Sequence, residues 1–306
     1  MPARPKFVHI IANPATGRSV PFLQRVNDHF RPAGIRWQIS VTHQTGDGAT
    51  LAQEAIDRGA DLVAVYGGDG TIRDVAGALV ATGIPLLILP GGTGNLMATE
   101  LNLPKGLSRA CELVCGDEFS TIAVDVGKLG NNYFLHRIGC GFESDIVLDA
   151  TREMKRQFGK WAYVFASVKA LQEIPVIDYT ITLDDREKIE GKGVACAVAN
   201  AGIIGVGNLT FSRSIGITDG KLDVIFLRTA HIDGILELFS MITGLKGEGP
   251  QDPDPALDAS HLINHWQVKK VLIEADPVQR IQADGDLAGE TPQLVEVLPA
   301  SLQIVV

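Results

Sequence analysis

A short motif in the first third of the chain combines residue types that phosphate chemistry requires. The stretch "VAVYGGDGTIRDV", residues 63–75, begins as an apolar run and continues with three glycines around Asp69. Glycines let a ligand approach the main chain, and the start of a following helix favours an anion. Because a carboxylate repels phosphate, Asp69 would either hold a Mg²⁺ or accept a proton. The alternative is an ordinary strand-to-helix turn that Asp69 caps.

Two further turns of the same kind raise the expectation of a phosphate site. "LPGGTGN", residues 89–95, follows another buried strand, and "NPATGR", residues 13–18, follows the first one. Ligands of parallel sheets bind beyond the carboxyl ends of the strands, so the three turns should line one crevice. Thr93 can donate its hydroxyl to a phosphate, and Asn95 can fix the turn. The turns match neither a Walker A loop nor a dinucleotide-binding fingerprint.

The elements that position these turns alternate between apolar strands and helices. Four strand-helix repeats in the first 120 residues predict an α/β fold with a doubly wound parallel sheet. Alternating strand patterns with polar turns then predict a second, mostly antiparallel β-sandwich domain. We expect a nucleotide-binding domain over residues 1–122 and a β-rich domain over 123–290. Terminal strands in residues 291–306 are expected to return to the first domain.

Composition excludes several classes of protein. The chain has 306 residues, 45% of them hydrophobic, which suffices for one large or two medium cores. Its net charge of −9 and the lack of a Lys/Arg block argue against a nucleic-acid partner. Four cysteines without metal or disulfide spacing indicate a reducing, cytoplasmic compartment. No signal peptide and no membrane-spanning run are recognisable in the sequence.

Seven motifs in order make the chain resemble the diacylglycerol kinase catalytic-domain family, the bacterial soluble lipid kinases related to sphingosine and ceramide kinases. The resemblance covers nearly the whole chain. The Gly-Gly-Asp-Gly-Thr motif is shared with NAD kinases, but the Pro-Gly-Gly-Thr-Gly-Asn turn and the late Asp-Gly-acid motif favour the lipid branch. The motifs are "NPATG" at 13–17, "GGDGT" at 67–71, "PGGTGN" at 90–95, "VDVGK" at 124–128, "GCGFES" at 139–144, "ITDGKLDV" at 217–224 and "ADGD" at 283–286.

The resemblance implies that ATP binds between the two domains and that its γ-phosphate passes to a lipid hydroxyl. Asp69 and Asp125 would organise Mg²⁺, mostly through water. The residues implied in nucleotide binding are Asn13, Pro14, Ala15, Thr16, Gly17, Thr42, Gly67, Gly68, Asp69, Gly70, Thr71, Arg73, Gly92, Thr93 and Asn95.

The late motif would supply the catalytic base, because a lipid hydroxyl must lose its proton as it attacks. The family has an Asp-Gly-Glu triplet here, and this chain has Asp284-Gly285-Asp286. We expect Asp284 to be the base, with Asp286, one methylene shorter than the usual glutamate, as the next candidate and Asp69 after it. The alternative is an acidic hairpin turn.

A second metal site is implied in the β-rich domain. "ITDGKLDV" resembles the family's structural metal loop, with the side chain of Asp219 and the carbonyls of Gly216 and Lys221 as ligands. An Asp-Gly pair is also typical of a plain β-turn.

Three further positions depart from the family pattern. Leu96 stands where many bacterial members have an aspartate of the Mg²⁺ network. Arg73 and Asp74 replace an asparagine and a glutamate, and Arg73 could contact phosphate.

The acceptor would be met at a membrane surface. A predicted amphipathic helix over residues 151–173 carries Arg152, Arg156 and Lys160 beside Trp161, so it either touches an anionic bilayer or packs on the sheet.

Diacylglycerol, converted to phosphatidic acid, is the first candidate acceptor, and sphingoid bases and other lipids stay open. A NAD kinase-like small-molecule kinase and a non-catalytic nucleotide-binding module are the rival interpretations. The sequence leaves oligomeric state open, a homodimer included.

Overall fold

The structure is a computed structural model that describes residues 2–16, 21–141, 175–202, 215–228 and 263–306. The predicted amphipathic helix over residues 151–173 and the predicted nucleotide contact Gly17 lie outside the described residues. Within those ranges, no helix is both long and apolar enough to cross a membrane.

The first part of the chain alternates strands with helices. Helix α3 begins at Asp69, directly after the extended backbone of Gly68. The elements are β1 (Phe7–Ala12), a 3₁₀ turn (Pro14–Thr16), α1 (Phe22–Phe30), β2 (Arg36–Val41), α2 (Asp47–Asp57), β3 (Leu62–Gly67), α3 (Asp69–Leu79), β4 (Leu86–Pro90), α4 (Leu96–Glu100) and α5 (Leu107–Glu112).

The strands of this part run parallel in the order β2-β1-β3-β4. Every residue of β1, β3 and β4 is buried. One face of the sheet packs against α1 and α5, and the other packs against α2 and α3. Helices on both faces explain why these strands are apolar throughout, and the predicted doubly wound parallel sheet is confirmed.

The rest of the described chain is almost entirely strand. The elements are β5 (Thr121–Leu129), β6 (Asn132–Phe134), β7 (Arg137–Gly141), β8 (Ile177–Leu183), β9 (Glu187–Gly193), β10 (Ala195–Ala199), β11 (Leu222–Leu227), β12 (Ile263–Val268), β13 (Lys270–Asp276), β14 (Arg280–Ala283), β15 (Asp286–Glu290) and β16 (Gln293–Val305).

These strands form a sandwich with one shared core. Strands β12-β11-β10-β7-β14-β15 make an antiparallel sheet. Strands β16, β13, β8 and β9 form the facing layer, and apolar side chains from both layers meet in one cluster that includes Phe134, Tyr179 and Phe226. The predicted mostly antiparallel second domain is confirmed.

One sheet joins the two parts of the molecule. Strand β16 pairs in parallel with β4 through Ile304 and Leu86, and pairs antiparallel with both β5 and β13. The predicted division at residue 122 therefore falls inside β5, and the division at residue 290 falls at the end of β15. The hydrogen-bonded sheet continues across both positions.

We predict that Gly127→Ala destabilises the protein. Gly127 in β5 lies opposite Phe134 in β6, and a Cβ atom at Gly127 would overlap the phenyl ring. Because Phe134 is fully buried, the ring cannot move aside without disturbing the core. We expect the free energy of unfolding to fall by about 1–3 kcal/mol in urea titrations.

Gly106→Ala is the matched control. Gly106 precedes α5, has a negative φ of −113°, and nothing lies within 4 Å of a Cβ atom built there. Equal urea midpoints for the two variants would contradict the described packing of Phe134 on Gly127.

Candidate active site

The three glycine-containing turns meet at the carboxyl ends of β1, β3 and β4. The Asn13 side-chain amide donates to Thr71 Oγ1 at 3.0 Å, and its main-chain N–H donates to the Tyr66 carbonyl at 2.8 Å. The Gly92 N–H donates to the Gly67 carbonyl at 3.0 Å. The predicted convergence of the turns is therefore present, and it is held by direct hydrogen bonds.

Gly92 is required where two turns touch. A Cβ atom at Gly92 would lie 2.7 Å from Gly68 Cα, so a larger residue would push the turns apart. Asn95 closes the second turn from the other side. Its side chain accepts from the Gly92 N–H at 3.1 Å and donates to the Gly92 carbonyl at 2.7 Å, while its own backbone is left-handed at φ 49°. Asparagine tolerates this conformation better than most residues.

The Asp69 side chain links the turn after β3, in which it lies, to the turn after β4. Its Oδ1 accepts from the Leu96 main-chain N–H at 2.7 Å, at the start of α4. Its Oδ2 faces Gly94, where a Cβ atom would collide with it. Asp69 thus caps the helix of the neighbouring turn rather than its own helix α3, which has no side-chain cap. Leu96, the residue that departs from the family pattern, therefore takes part in this contact through its main-chain N–H.

The turns surround a cleft of about 720 Å³. This volume lies within the range of small-molecule sites, about 300–1,000 Å³. Gly67 and Asn95 shape the turns from behind the cleft rather than lining it. The predicted residues that line the cleft are Asn13, Pro14, Ala15, Thr16, Thr42, Gly68, Asp69, Gly70, Thr71, Arg73, Gly92, Thr93 and Asp286.

Sequence reasoning missed most of the loop after β2. His43, Gln44, Thr45 and Gly48 line the cleft beside Thr42. Asp47 shapes this loop because its carboxylate accepts the main-chain N–H groups of His43 at 2.7 Å and Gln44 at 3.0 Å, and these bonds lower the pKa of Asp47. The strand order could have indicated these residues, because β2 lies next to β1 and its carboxyl end must face the same crevice.

Arg73 is held by carboxylates. Its guanidinium contacts Asp286 Oδ2 at 2.8 Å, Asp74 Oδ1 at 3.0 Å and the Ala283 carbonyl at 3.2 Å, and only 15% of the side chain is exposed. Burial alone would lower its pKa, but the two carboxylates outweigh burial and raise it. The expected phosphate contact would have to share the guanidinium with these partners.

Asp284 and Asp286 differ in their surroundings. The Asp284 carboxylate accepts the main-chain N–H groups of Leu135, His136 and Arg137 at 2.7, 2.9 and 3.0 Å. It therefore ties the β14–β15 hairpin to the start of β7 and does not line the cleft. Asp286 does line the cleft, and 58% of its side chain is exposed. The geometry favours Asp286 over the expected Asp284 as a group that can reach a substrate.

Asp125 lies away from the cleft lining and is only 2% exposed. Its two carboxylate oxygens accept the N–H groups of Gly220 at 2.6 Å and Ala300 at 2.7 Å, and its own N–H donates to the Ile217 carbonyl at 2.8 Å. Asp125 therefore joins β5 to the 216–221 loop and to the irregular middle of β16. Both oxygens are already engaged, which makes the expected Mg²⁺ role a poor fit for this residue.

The 216–221 loop gathers negative charge. Asp219 Oδ1 accepts the Lys221 N–H at 2.9 Å, and the Gly216 carbonyl faces the Asp219 N–H at 3.4 Å. The pKa of Asp219 is raised, first by partial burial and then by Asp223 and Asp125, although the residue still reaches solvent. A bound cation would relieve this repulsion.

Each of the two implied metal sites would need ligands other than protein side chains to hold an ion. Among the described residues, no three His, Cys, Asp or Glu side chains come together as a metal cage. Mg²⁺ commonly binds through one or two carboxylates together with substrate phosphates and water, so Asp69 alone fits a nucleotide-bound Mg²⁺. Asp219 fits a cation bound largely by main-chain carbonyls.

We predict that Asp125→Asn destabilises the protein whether or not Mg²⁺ is present. One oxygen becomes an NH₂ group that faces a main-chain N–H, so a buried hydrogen bond is lost. The free energy of unfolding should fall by about 1–3 kcal/mol in urea titrations. Asp178→Asn, at an exposed ion pair with Lys192, should change it by less than about 0.5 kcal/mol. A loss that appears only with Mg²⁺ would assign Asp125 to the metal instead.

We predict that Ca²⁺ or Mg²⁺ stabilises the wild-type protein through Asp219. Thermal unfolding without nucleotide should shift upward, by about 2.7 kcal/mol at a cation concentration of about 100 Kd. Asp219→Asn should lose this shift. Because the folded pKa of Asp219 is raised, its ionised form is disfavoured on folding, so the cation-free variant should be no less stable than wild type above the acid range. An unchanged cation shift in Asp219→Asn would refute the site.

Comparison with known proteins identifies the family. Residues 7–129 match the family model described as "Diacylglycerol kinase catalytic domain", and residues 137–306 match "YegS C-terminal NAD kinase beta sandwich-like domain". A protein of Staphylococcus haemolyticus named "Putative lipid kinase" is 30% identical over 246 residues, which cover 80% of this chain and 76% of that protein.

Two solved structures show the same fold. A crystal structure titled as a "putative diacylglycerol kinase" from Bacillus anthracis superposes with a TM-score of 0.78 at 24% identity, covering 100% of this chain and 98% of that one. A yeast NADH kinase complexed with NADH superposes with a TM-score of 0.50 at 12% identity, covering 99% and 83%. With the two family models spanning both halves of the molecule, this chain belongs to the diacylglycerol kinase catalytic-domain family.

Proposed function

We propose that the protein is an ATP-dependent lipid kinase that transfers the γ-phosphoryl group of ATP to a lipid hydroxyl, with diacylglycerol as the first candidate acceptor. The observation that carries this proposal is the cleft itself. Three glycine-containing turns and the start of α3 lie on one side of it, and the exposed carboxylate of Asp286 lies on the other. The relatives' lipid kinase names support a lipid as the acceptor.

The turns suit the phosphates of a nucleotide. The first main-chain N–H groups of a helix lack partners within the helix, and those of α3 begin at Asp69 in the cleft. The hydroxyls of Thr71 and Thr93 add donors at the same place. Mg²⁺, held by Asp69 together with the phosphates, would neutralise the charge that spreads over the transferred group.

Asp286 is suited to accept the proton of the acceptor. In the proposed step the acceptor hydroxyl attacks the γ-phosphorus, its proton passes to the Asp286 carboxylate, the bond to the β–γ bridging oxygen breaks, and ADP leaves. The ion pair with Arg73 fixes the position of the carboxylate between α3 and β15. Since the acceptor resides in a membrane, we propose that the protein works in the cytoplasm at the membrane surface.

The direct test follows radiolabelled phosphate from ATP in the presence of Mg²⁺. The purified full chain is incubated with mixed micelles of diacylglycerol, monoacylglycerol or sphingosine, and separately with NAD. Label in a lipid supports the proposal and names the acceptor. Label in NAD alone indicates a small-molecule kinase. ATP binding without transfer to any acceptor indicates a nucleotide-binding module, and either result overturns the proposal.

We predict that Asp286→Asn lowers kcat by about 10²–10⁴-fold, because the amide cannot take up the proton. The affinity for ATP should not fall, because the turns are untouched and the cleft loses one negative charge. Asp286→Glu keeps a carboxylate and should retain much more activity than Asp286→Asn. The measurement is lipid phosphorylation under saturating ATP, with ATP binding followed by calorimetry.

Asp284→Asn separates the two candidate bases. Because Asp284 accepts three main-chain N–H bonds, its amide variant should lower the thermal unfolding temperature, and its loss of activity should follow that loss of structure. A stable Asp284→Asn protein without activity, beside an active Asp286→Asn protein, would make Asp284 the base.

A further inference from the structure

A second cavity lies beside the nucleotide cleft. It has a volume of about 370 Å³ and opens between α3, the β5–β6 turn and the β14–β15 hairpin. Its lining residues are Ala49, Arg73, Asp74, Gly77, Ala78, Asn131, Asn132, Tyr133, Ala283, Asp286, Leu287 and Ala288.

The two cavities share one wall. Arg73, Asp74 and Asp286 line both of them, and these three side chains are joined by the contacts of 2.8 and 3.0 Å. The Arg73 guanidinium therefore lies at the boundary of the two cavities, and Asp286 can be reached from both of them.

A phosphoryl transfer between occupants of the two cavities would have to occur at the shared wall. The attacking and leaving oxygens lie roughly in line on opposite sides of the phosphorus, so donor and acceptor approach from different directions. With the nucleotide in the larger cavity, an acceptor in the smaller cavity would present its hydroxyl at the wall. Asp286 lies there and can take the proton.

The lining restricts the charge of the occupant. Arg73 is the cationic residue of this cavity as far as the structure describes the chain, and Asp74 and Asp286 already engage it. The wall thus carries one more negative than positive charge. The glycine turns and the start of α3, which offer main-chain N–H groups to an anion in the nucleotide cleft, do not line this cavity, so an anionic group is disfavoured here. The amides of Asn131 and Asn132 can donate to and accept from hydroxyls.

The size of the cavity restricts what enters. A volume of about 370 Å³ is near the lower end of ligand sites, about 300–1,000 Å³, so it suits a headgroup better than long acyl chains. Gly77 lets the Tyr133 ring lie against α3, since a Cβ atom there would be 3.1 Å from the ring. Leu287 lines the cavity, is 62% exposed, and offers an apolar contact for a chain that leaves it.

We propose that this smaller cavity binds the headgroup of the acceptor lipid, and that the headgroup is hydroxylated and carries no negative charge. The proposal rests on the proposed kinase function. Arg73 acts as a positioning residue that holds Asp286 between the two bound substrates.

The test fills the cavity from two sides. Ala49 is exposed near the start of α2, and Ala288 lies on β15, where it also packs against the sandwich core, so Ala49→Phe and Ala288→Phe narrow the cavity from unrelated elements. Each should raise the KM for dioctanoylglycerol by at least about tenfold. Affinity for ADP, measured by calorimetry, should be unchanged, because neither residue lines the nucleotide cleft.

Thr50→Phe is the matched control. Thr50 is exposed, follows Ala49 on α2, and lines neither cavity. It should keep the wild-type KM. If Ala49→Phe and Ala288→Phe behave as Thr50→Phe does while wild type phosphorylates lipid, the acceptor site is refuted and the kinase function stands.

The charge requirement is tested with phosphatidylglycerol, which offers hydroxyls beside a phosphate. Wild type should phosphorylate dioctanoylglycerol and leave phosphatidylglycerol unlabelled in micelles of the same composition. Comparable labelling of both lipids would overturn the requirement.

If no lipid is labelled, a binding measurement still tests the headgroup site separately from the kinase function. Soluble 1-octanoylglycerol is titrated into wild type, Ala49→Phe and Thr50→Phe by calorimetry. Binding to wild type and Thr50→Phe but not to Ala49→Phe keeps the headgroup site while the kinase function fails. No binding to wild type refutes the site.

Discussion

The ion pair between Arg73 and Asp286 is the contact on which both sides of the cleft depend. Arg73 belongs to the helix that follows the Gly-Gly-Asp-Gly-Thr turn, and Asp286 belongs to a hairpin of the sandwich. The pair is largely withdrawn from water on the arginine side, and Arg73 also contacts Asp74 and the Ala283 main-chain carbonyl. Because Asp286 reaches solvent, the pair contributes more to the relative position of α3 and the β14–β15 hairpin than to stability.

The parallel sheet and the sandwich contribute different structural features. The parallel sheet supplies rigid strand ends, and its glycines allow main chains to touch where side chains would keep them apart. The sandwich supplies carboxylates whose main-chain partners hold whole loops: Asp284 at the start of β7, and Asp125 between β5, β16 and the 216–221 loop. Acidic residues in both halves thus act as acceptors for main-chain N–H groups as well as candidate ligands or bases.

The sequence predicted what depends on local pattern. Apolar strands and glycine turns gave the fold class, the convergence of the turns and most of the cleft lining, because each signal lies within a few adjacent residues. The roles of Asp284 and Asp125 could not be predicted in this way. Their N–H partners lie up to 175 residues away along the chain, and a motif does not show which oxygens the main chain already occupies. The loop after β2 was predictable from strand order but has no glycine motif to mark its residues.

Strand β16 has a consequence for how the molecule is assembled. It lies between β4 and β13, so the strand that completes the parallel sheet comes from residues made more than 200 positions later, as the pairing of Leu86 with Ile304 shows. During synthesis, β4 would wait with an open, apolar edge, and closing so long a loop is slow. The parallel sheet therefore depends for its completion on a segment that is synthesised long after its other strands, which makes translation order part of the folding problem of this protein.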